Sequence, residues 1–191
     1  MHVMTTLKKM TVIGLLLFVA TGVAQAQSDK EAGRAEVRKS TNAVLKQLYA
    51  VQPSARKTVA AAPGYAVFSN FGMKILFAGG GTGNGIAVNH QTKQETFMKM
   101  MEVQAGLGMG IKKFGLVFVF QDRQALERFI SSGWEASAQT SAEALSSGKG
   151  VALKGAIMVS PGVWVYQVAE DRLALDVTIK GTKYFRNDDL N

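Results

Sequence analysis

The sequence predicts an α+β fold, with N-terminal helices packed on a strongly bent antiparallel sheet or partial barrel and one further helix. Helical periodicity comes first, and short apolar runs parted by turns follow. Strand and helix do not alternate regularly, which argues against a parallel sheet. Two segments also read G-x-G-x-G-I, Gly81-Gly83-Gly85-Ile86 and Gly106-Gly108-Gly110-Ile111. Residues two apart on a strand share a face, so each segment carries a face without side chains, as a close approach or tight bend requires.

Residues 1–26 read as a signal peptide. A short basic start ending in Lys8 and Lys9 leads into "MTVIGLLLFVATGV", and Ala24-Gln25-Ala26 offers small residues at a peptidase site. Cleavage is expected after Ala26, with a periplasmic or secreted product. Residues 27–63 form the expected helical segment and residues 64–191 the β-rich part, the two making one structural unit. Ser28 and Glu31 have capping-box spacing, which predicts a helix start near Asp29. Val37, Thr41, Val44, Leu45 and Leu48 then fall on one face, with Lys39 and Lys46 on the other. Pro53 and Pro63 bracket a second short helix, "SARKTVAAA".

Strands are expected in "YAVFSN", "KILFAGGG", "GIAVNH", "ETFMKMMEVQAG" and "FGLVFVF", with "NHQTKQ" as a hairpin loop. The further helix is "DRQALERFISSG", with Asp122 as N-cap, Leu126, Phe129 and Ile130 as its buried stripe and Gly133 as its stop. More antiparallel strands follow, with candidate turns at Pro161-Gly162 and Glu170-Asp171. Close packing is the expected use of the bare glycine faces, with the Ala-rich "VAAAP" and "ASAQTSAEA" as their occupants. A groove admitting an acyl chain is the alternative.

The glycines do not make a phosphate loop. A dinucleotide fingerprint started at Gly79 reaches Asn84 at its sixth position, and one started at Gly81 reaches Ile86. Forcing a P-loop from Gly80 to Gly85 puts Ile86 where lysine must stand, and a strand follows instead of a helix. No cofactor is expected.

No catalytic residues are nominated and no enzymatic activity is expected. The chain has no cysteine, which removes disulfides, thiolate nucleophiles and lipoprotein anchoring. After cleavage His90 is the sole histidine. It has no acid or nucleophile nearby in sequence, reads as an exposed loop residue, and provides no metal site. The 14 Asp and Glu form no distinguished pair.

Charge is more informative. Lys and Arg number 22, for a net charge of +8, and only Lys8 and Lys9 of these lie in the leader. An exported basic chain points to anionic phospholipids or other acidic envelope components as partners, and away from nucleic acid. Contact with the membrane would be peripheral, without a lipid anchor. Lys112 and Lys113 follow the second glycine stripe directly, and with Lys93 and Lys99 would form one anion-facing edge if the loops share an end of the sheet.

"GYAVFSNFGMKILFAGGGTGNGIAVN", "VQAGLGMGIKKFGLVFVFQDRQALERFISSGWEASA" and "ALDVTIKGTKYF" resemble the SYLF domain family over about residues 60–186. Family members include eukaryotic endocytic proteins and many bacterial exported ones. The resemblance implies binding of acidic phospholipids through a basic N-terminal helical region, whose counterparts here are Lys46, Arg56 and Lys57. In "DRLALDVTIKG" only Gly181 matches the family's glycine-rich run.

The expected function is therefore that of an exported, non-catalytic protein that associates with anionic phospholipid surfaces. Lys46, Arg56, Lys57, Lys112 and Lys113 are the lipid-binding candidates. The alternatives are a carrier of one lipid or small apolar ligand beside the glycine stripes, and a structural envelope protein that binds another protein.

Overall fold

A computed structural model describes the backbone of residues 3–75, 78–105, 110–136, 153–169, 172–174 and 181–191. Side chains are described for residues 27–69, 80–102, 113–135, 153–169, 172–173 and 181–191. Helices α1 (Val3–Val51) and α2 (Ser54–Ala61) precede four long strands: β1 (Gly64–Ile75), β2 (Ala78–Asn89), β3 (Glu95–Ala105) and β4 (Gly110–Phe120). Helix α3 (Arg123–Ser132) and the short strands β5 (Trp134–Ala136), β6 (Ile157–Ser160), β7 (Val163–Ala169), β8 (Arg172–Ala174) and β9 (Thr182–Arg186) complete the chain.

The described strands form one antiparallel sheet in the order β5-β9-β3-β2-β1-β4-β7-β6, with β8 paired to β7. It curls strongly into a half-barrel, the α+β architecture that the sequence predicts. Helices cover both faces, which is why Gly115–Phe120 is buried without alternation. Toward α3 the core gathers Phe68, Met98, Phe118, Phe120, Phe129 and Tyr184. Toward α1 and α2 it gathers Val44, Leu48, Val59, Val67, Val117 and Tyr166. Neighbours such as Val67 and Phe68 thus serve opposite layers, as a pleated strand dictates.

The α1 stripe packs as its spacing predicts: Val37, Thr41, Val44 and Leu48 are buried, and Leu45 is half-buried. The capping box is not formed. Helix α1 runs through Ser28, and Glu31 accepts instead from Arg34 (3.3 Å) and Arg38 (3.2 Å). With preceding residues helical, the amides at Ser28 have partners one turn back, so no orphan donor calls for a cap. Asp122 does cap α3, accepting from the Ala125 amide at 2.7 Å, and Gly133 ends it at φ +72°. Pro161-Gly162 turns the chain between β6 and β7, and Glu170-Asp171 lies outside the described residues.

The first glycine stripe is filled from within the sheet. A Cβ on Gly83 would lie 2.7 Å from both the Met100 side chain and the Ser69 carbonyl oxygen, and one on Gly85 would collide with the Phe68 ring. Phe68 stands opposite Gly85 in the β1–β2 register, and Met100 opposite Gly83 in the β2–β3 register. Large side chains on neighbouring strands therefore occupy the space at these two glycines, where "VAAAP" was the expected occupant. That segment instead lies in α2 and the turn after it, where Val59 joins the core on the opposite face of the sheet. Gly106, Gly108 and residues 137–144 of "ASAQTSAEA" lie outside the described residues, and Gly110 opens β4.

Candidate functional site

Cationic side chains differ in their partners from place to place. Around the first half of the described part of α1 they are neutralised. Arg38 reaches Glu95 at 2.9 Å as well as Glu31, and Lys99 reaches Asp189 at 2.7 Å. Arg34 and Arg38 also lie over the Phe97 ring, with guanidinium carbons 5.7 and 5.2 Å from its centroid. The two arginines hold the Glu31 carboxyl below its ordinary pKa, and Lys99 does the same for Asp189. These contacts bind α1, β3 and the last residues of the chain together.

The corner where α1 meets α2 is different. Lys46, Arg56 and Lys57 are exposed, and none forms an ion pair among the described residues. Arg56 lies over the Tyr49 ring at 4.5 Å, which orients its guanidinium on the helix pair at little conformational cost. Lys154 joins them through the backbone. The Gln52 side-chain Nε2 donates to the Lys154 carbonyl oxygen at 3.0 Å and to the Ser54 hydroxyl at 2.7 Å. Lys154 is exposed and equally without an ion pair among the described residues.

Sequence reasoning named the first three and missed Lys154, about a hundred residues away with no local motif. One available signal went unused: no Asp or Glu stands between Glu36 and Glu95. Helix α2 and the adjoining end of α1 are both built from that acid-free stretch, whereas Lys154 lies outside it.

Lys112 and Lys113 lie elsewhere. They pair with Gly72 and Phe71, whereas Phe120, at the other end of β4, pairs with Gly64 just after α2. Seven residues of strand separate Lys113 from Phe120, or about 23 Å at ~3.3 Å per residue. The expected edge joining Lys93 to Lys112 and Lys113 is not formed. Lys93 lies in the β2–β3 loop, at the end of the sheet where Asn89 pairs with Gly64. Antiparallel pairing puts the start of β4 at the end of the sheet opposite the β2–β3 loop.

Lys99 and Lys113 do share a groove of about 990 Å3 between α1 and the sheet. Ser69, Thr82 and Asn84 also line it from the sheet, and Ser40 and Gln47 from α1. Met101, also at this groove, is 51% exposed, the one large hydrophobic so open among the described residues. Gly83 of the first glycine stripe also lines this groove. A second pocket, of about 590 Å3, opens beside α2 and includes Lys57.

His90 is a structural tie, where an exposed loop residue was expected. It is half-buried, with Nδ1 donating to the Ala62 carbonyl oxygen at 2.7 Å and its amide donating to Pro63 at 2.9 Å. Its ring meets Tyr65 at a centroid distance of 5.2 Å. The β2–β3 loop folds back on the α2–β1 turn, which sequence distance concealed. Among the described residues, no group of three or more His, Cys, Asp and Glu could hold a metal ion. Nor is any helix there long and apolar enough to cross a membrane.

No protein-family model matches the chain. The chain is similar to Beta cell expansion factor A of Aeromonas veronii, at 32% identity over 161 residues, which cover 84% of this chain. The match spans 59% of the length of that curated relative.

Proposed function

We propose that this chain is an exported, non-catalytic lipid-binding domain of the SYLF type, which associates with anionic phospholipid surfaces through the α1–α2 corner. The observation that carries the reading is the gathering of four cations at the α1–α2 corner. Arg34, Arg38 and Lys99 have carboxylate partners, whereas Lys46, Arg56, Lys57 and Lys154 are exposed without one among the described residues. Unpaired cations on one corner are free to exchange counterions for lipid phosphates, at about 1 kcal/mol per residue near an anionic surface. The basic character of the first 26 residues and the small residues before Gln27 support export. The Aeromonas veronii relative is named for the expansion of beta cells, which specifies no ligand chemistry.

Co-sedimentation with phosphatidylglycerol-containing and with purely phosphatidylcholine vesicles, each at low and high salt, tests the reading. Binding is expected only to the anionic vesicles and is expected to weaken with salt. Equal binding to neutral vesicles, or none at low salt, would overturn it. The α1–sheet groove favours a second reading, a carrier of one small ligand. Native mass spectrometry of the purified protein would then show a co-purified mass, which a surface binder lacks.

A further inference from the structure

The pocket beside α2 adds an apolar element to the basic corner. One face of the helix lines it, with Ser54, Lys57, Thr58 and Ala61 recurring at three- and four-residue intervals. Val119 and Leu153 also line it. Ala61, Ala62 and Pro63 give α2 and its exit turn short side chains, so the helix leaves this volume unfilled. Among the described residues, Lys57 is the only charged one lining the pocket, and it has no ion pair there.

We infer that this pocket seats one acyl chain of an anionic phospholipid whose phosphate is held at the rim by Lys57. The inference rests on the anionic-lipid reading above and deepens it, from a charged surface to a site for a single lipid. Three features of the pocket match the three parts of such a molecule. A cation meets the phosphate, the Ser54 and Thr58 hydroxyls adjoin the ester region, and the walls of Ala61, Val119 and Leu153 receive the chain. The pocket is a cleft open to solvent, and its volume of about 590 Å3 leaves room for a short acyl chain. Charge complementarity selects an anionic over a neutral amphiphile, because Arg56 and Lys154 stand unpaired at the same corner.

Dihexanoyl phosphatidylglycerol below its micellar concentration provides the test, with dihexanoyl phosphatidylcholine and glycerol phosphate as comparison probes in calorimetry. The full chain without its leader is expected to bind the short-chain anionic lipid at least tenfold more tightly than either comparison probe. Ala61→Trp should fill the pocket and weaken that binding tenfold or more, and Lys57→Gln should weaken it several-fold. Ala61→Leu, a substitution favourable to a helix, should give an intermediate loss and guards against misfolding of the tryptophan variant.

Glycerol phosphate binding as tightly as the short-chain lipid, or folded Ala61 variants binding like the parent, would overturn the pocket. Sedimentation of the parent protein with phosphatidylglycerol vesicles reports separately on the surface reading. Vesicle binding with indifferent Ala61 variants sinks the pocket alone. Short-chain binding lost in Ala61→Trp without any vesicle binding sinks the surface reading alone.

Discussion

Gly85 and Phe68 face each other across β1 and β2, and the ring occupies the place of the missing side chain. Phe68 cannot swing away, because Phe118, Phe129 and Tyr184 pack around it with ring centroids 5.8, 6.2 and 5.0 Å distant. Gly85→Ala is therefore expected to destabilise the domain by about 1–3 kcal/mol, the usual cost of overpacking. Urea denaturation should show a lower midpoint with an unchanged slope. Gly80 provides the contrast. Its added Cβ would meet the Glu102 carbonyl oxygen at 3.4 Å, an ordinary contact, so Gly80→Ala is expected to fall within about 0.5 kcal/mol of the parent. Two glycines of one run thus differ in meaning, and the difference lies in what stands across the strand.

Helix α1 is attached by two kinds of contact. Toward its C-terminal end Val44 presses on Gly115, and Leu48 is fully buried. Leu48→Ala should cost about 2–5 kcal/mol in the same denaturation experiment. Nearer Glu31 the attachment is ionic and exposed, through Arg34, Arg38, Glu31 and Glu95, while Lys99 holds Asp189 near the chain end. The folded-state pKa values of Glu31 and Asp189 are depressed by their cationic partners. A depressed carboxylate contributes stability that is present above its unfolded pKa and lost as pH falls through the folded one. Thermal melting should therefore fall as the pH drops below about 4, near and under ordinary carboxylate values. The fall should be shallower in Glu31→Gln. Both carboxylates are well exposed, so the effect is small beside the loss of Leu48.

At the scale of the whole molecule, Lys46, Arg56, Lys57 and Lys154 make one corner basic, while ion pairs hold α1 and the chain end on the sheet. Replacing Lys46, Arg56 and Lys57 together by Gln is expected to weaken binding to anionic vesicles about 100-fold, at ~1 kcal/mol for each charge. Melting of the variant should be nearly unchanged, since all three side chains are exposed. Local signals were sufficient for α2, α3 and the buried stripe of α1: bracketing prolines, a cap with a stop, and helical spacing. They also marked the hairpin after β2 and the bare face of that strand. In the full chain α1 runs through Ser28, so the capping signal there has no helix start on which to act. The role of His90, the filling of the glycine face by Phe68 and Met100, and the place of Lys154 were not legible. Each depends on a contact between residues far apart in the chain or on neighbouring strands. By itself, then, the sequence determined the class of fold, the bare-faced strand and the acid-free basic stretch from Glu36 to Glu95. Only the tertiary structure decided which lysines share a surface. Strand register and helix docking set the spacing of charges in three dimensions, and neither is written in local sequence.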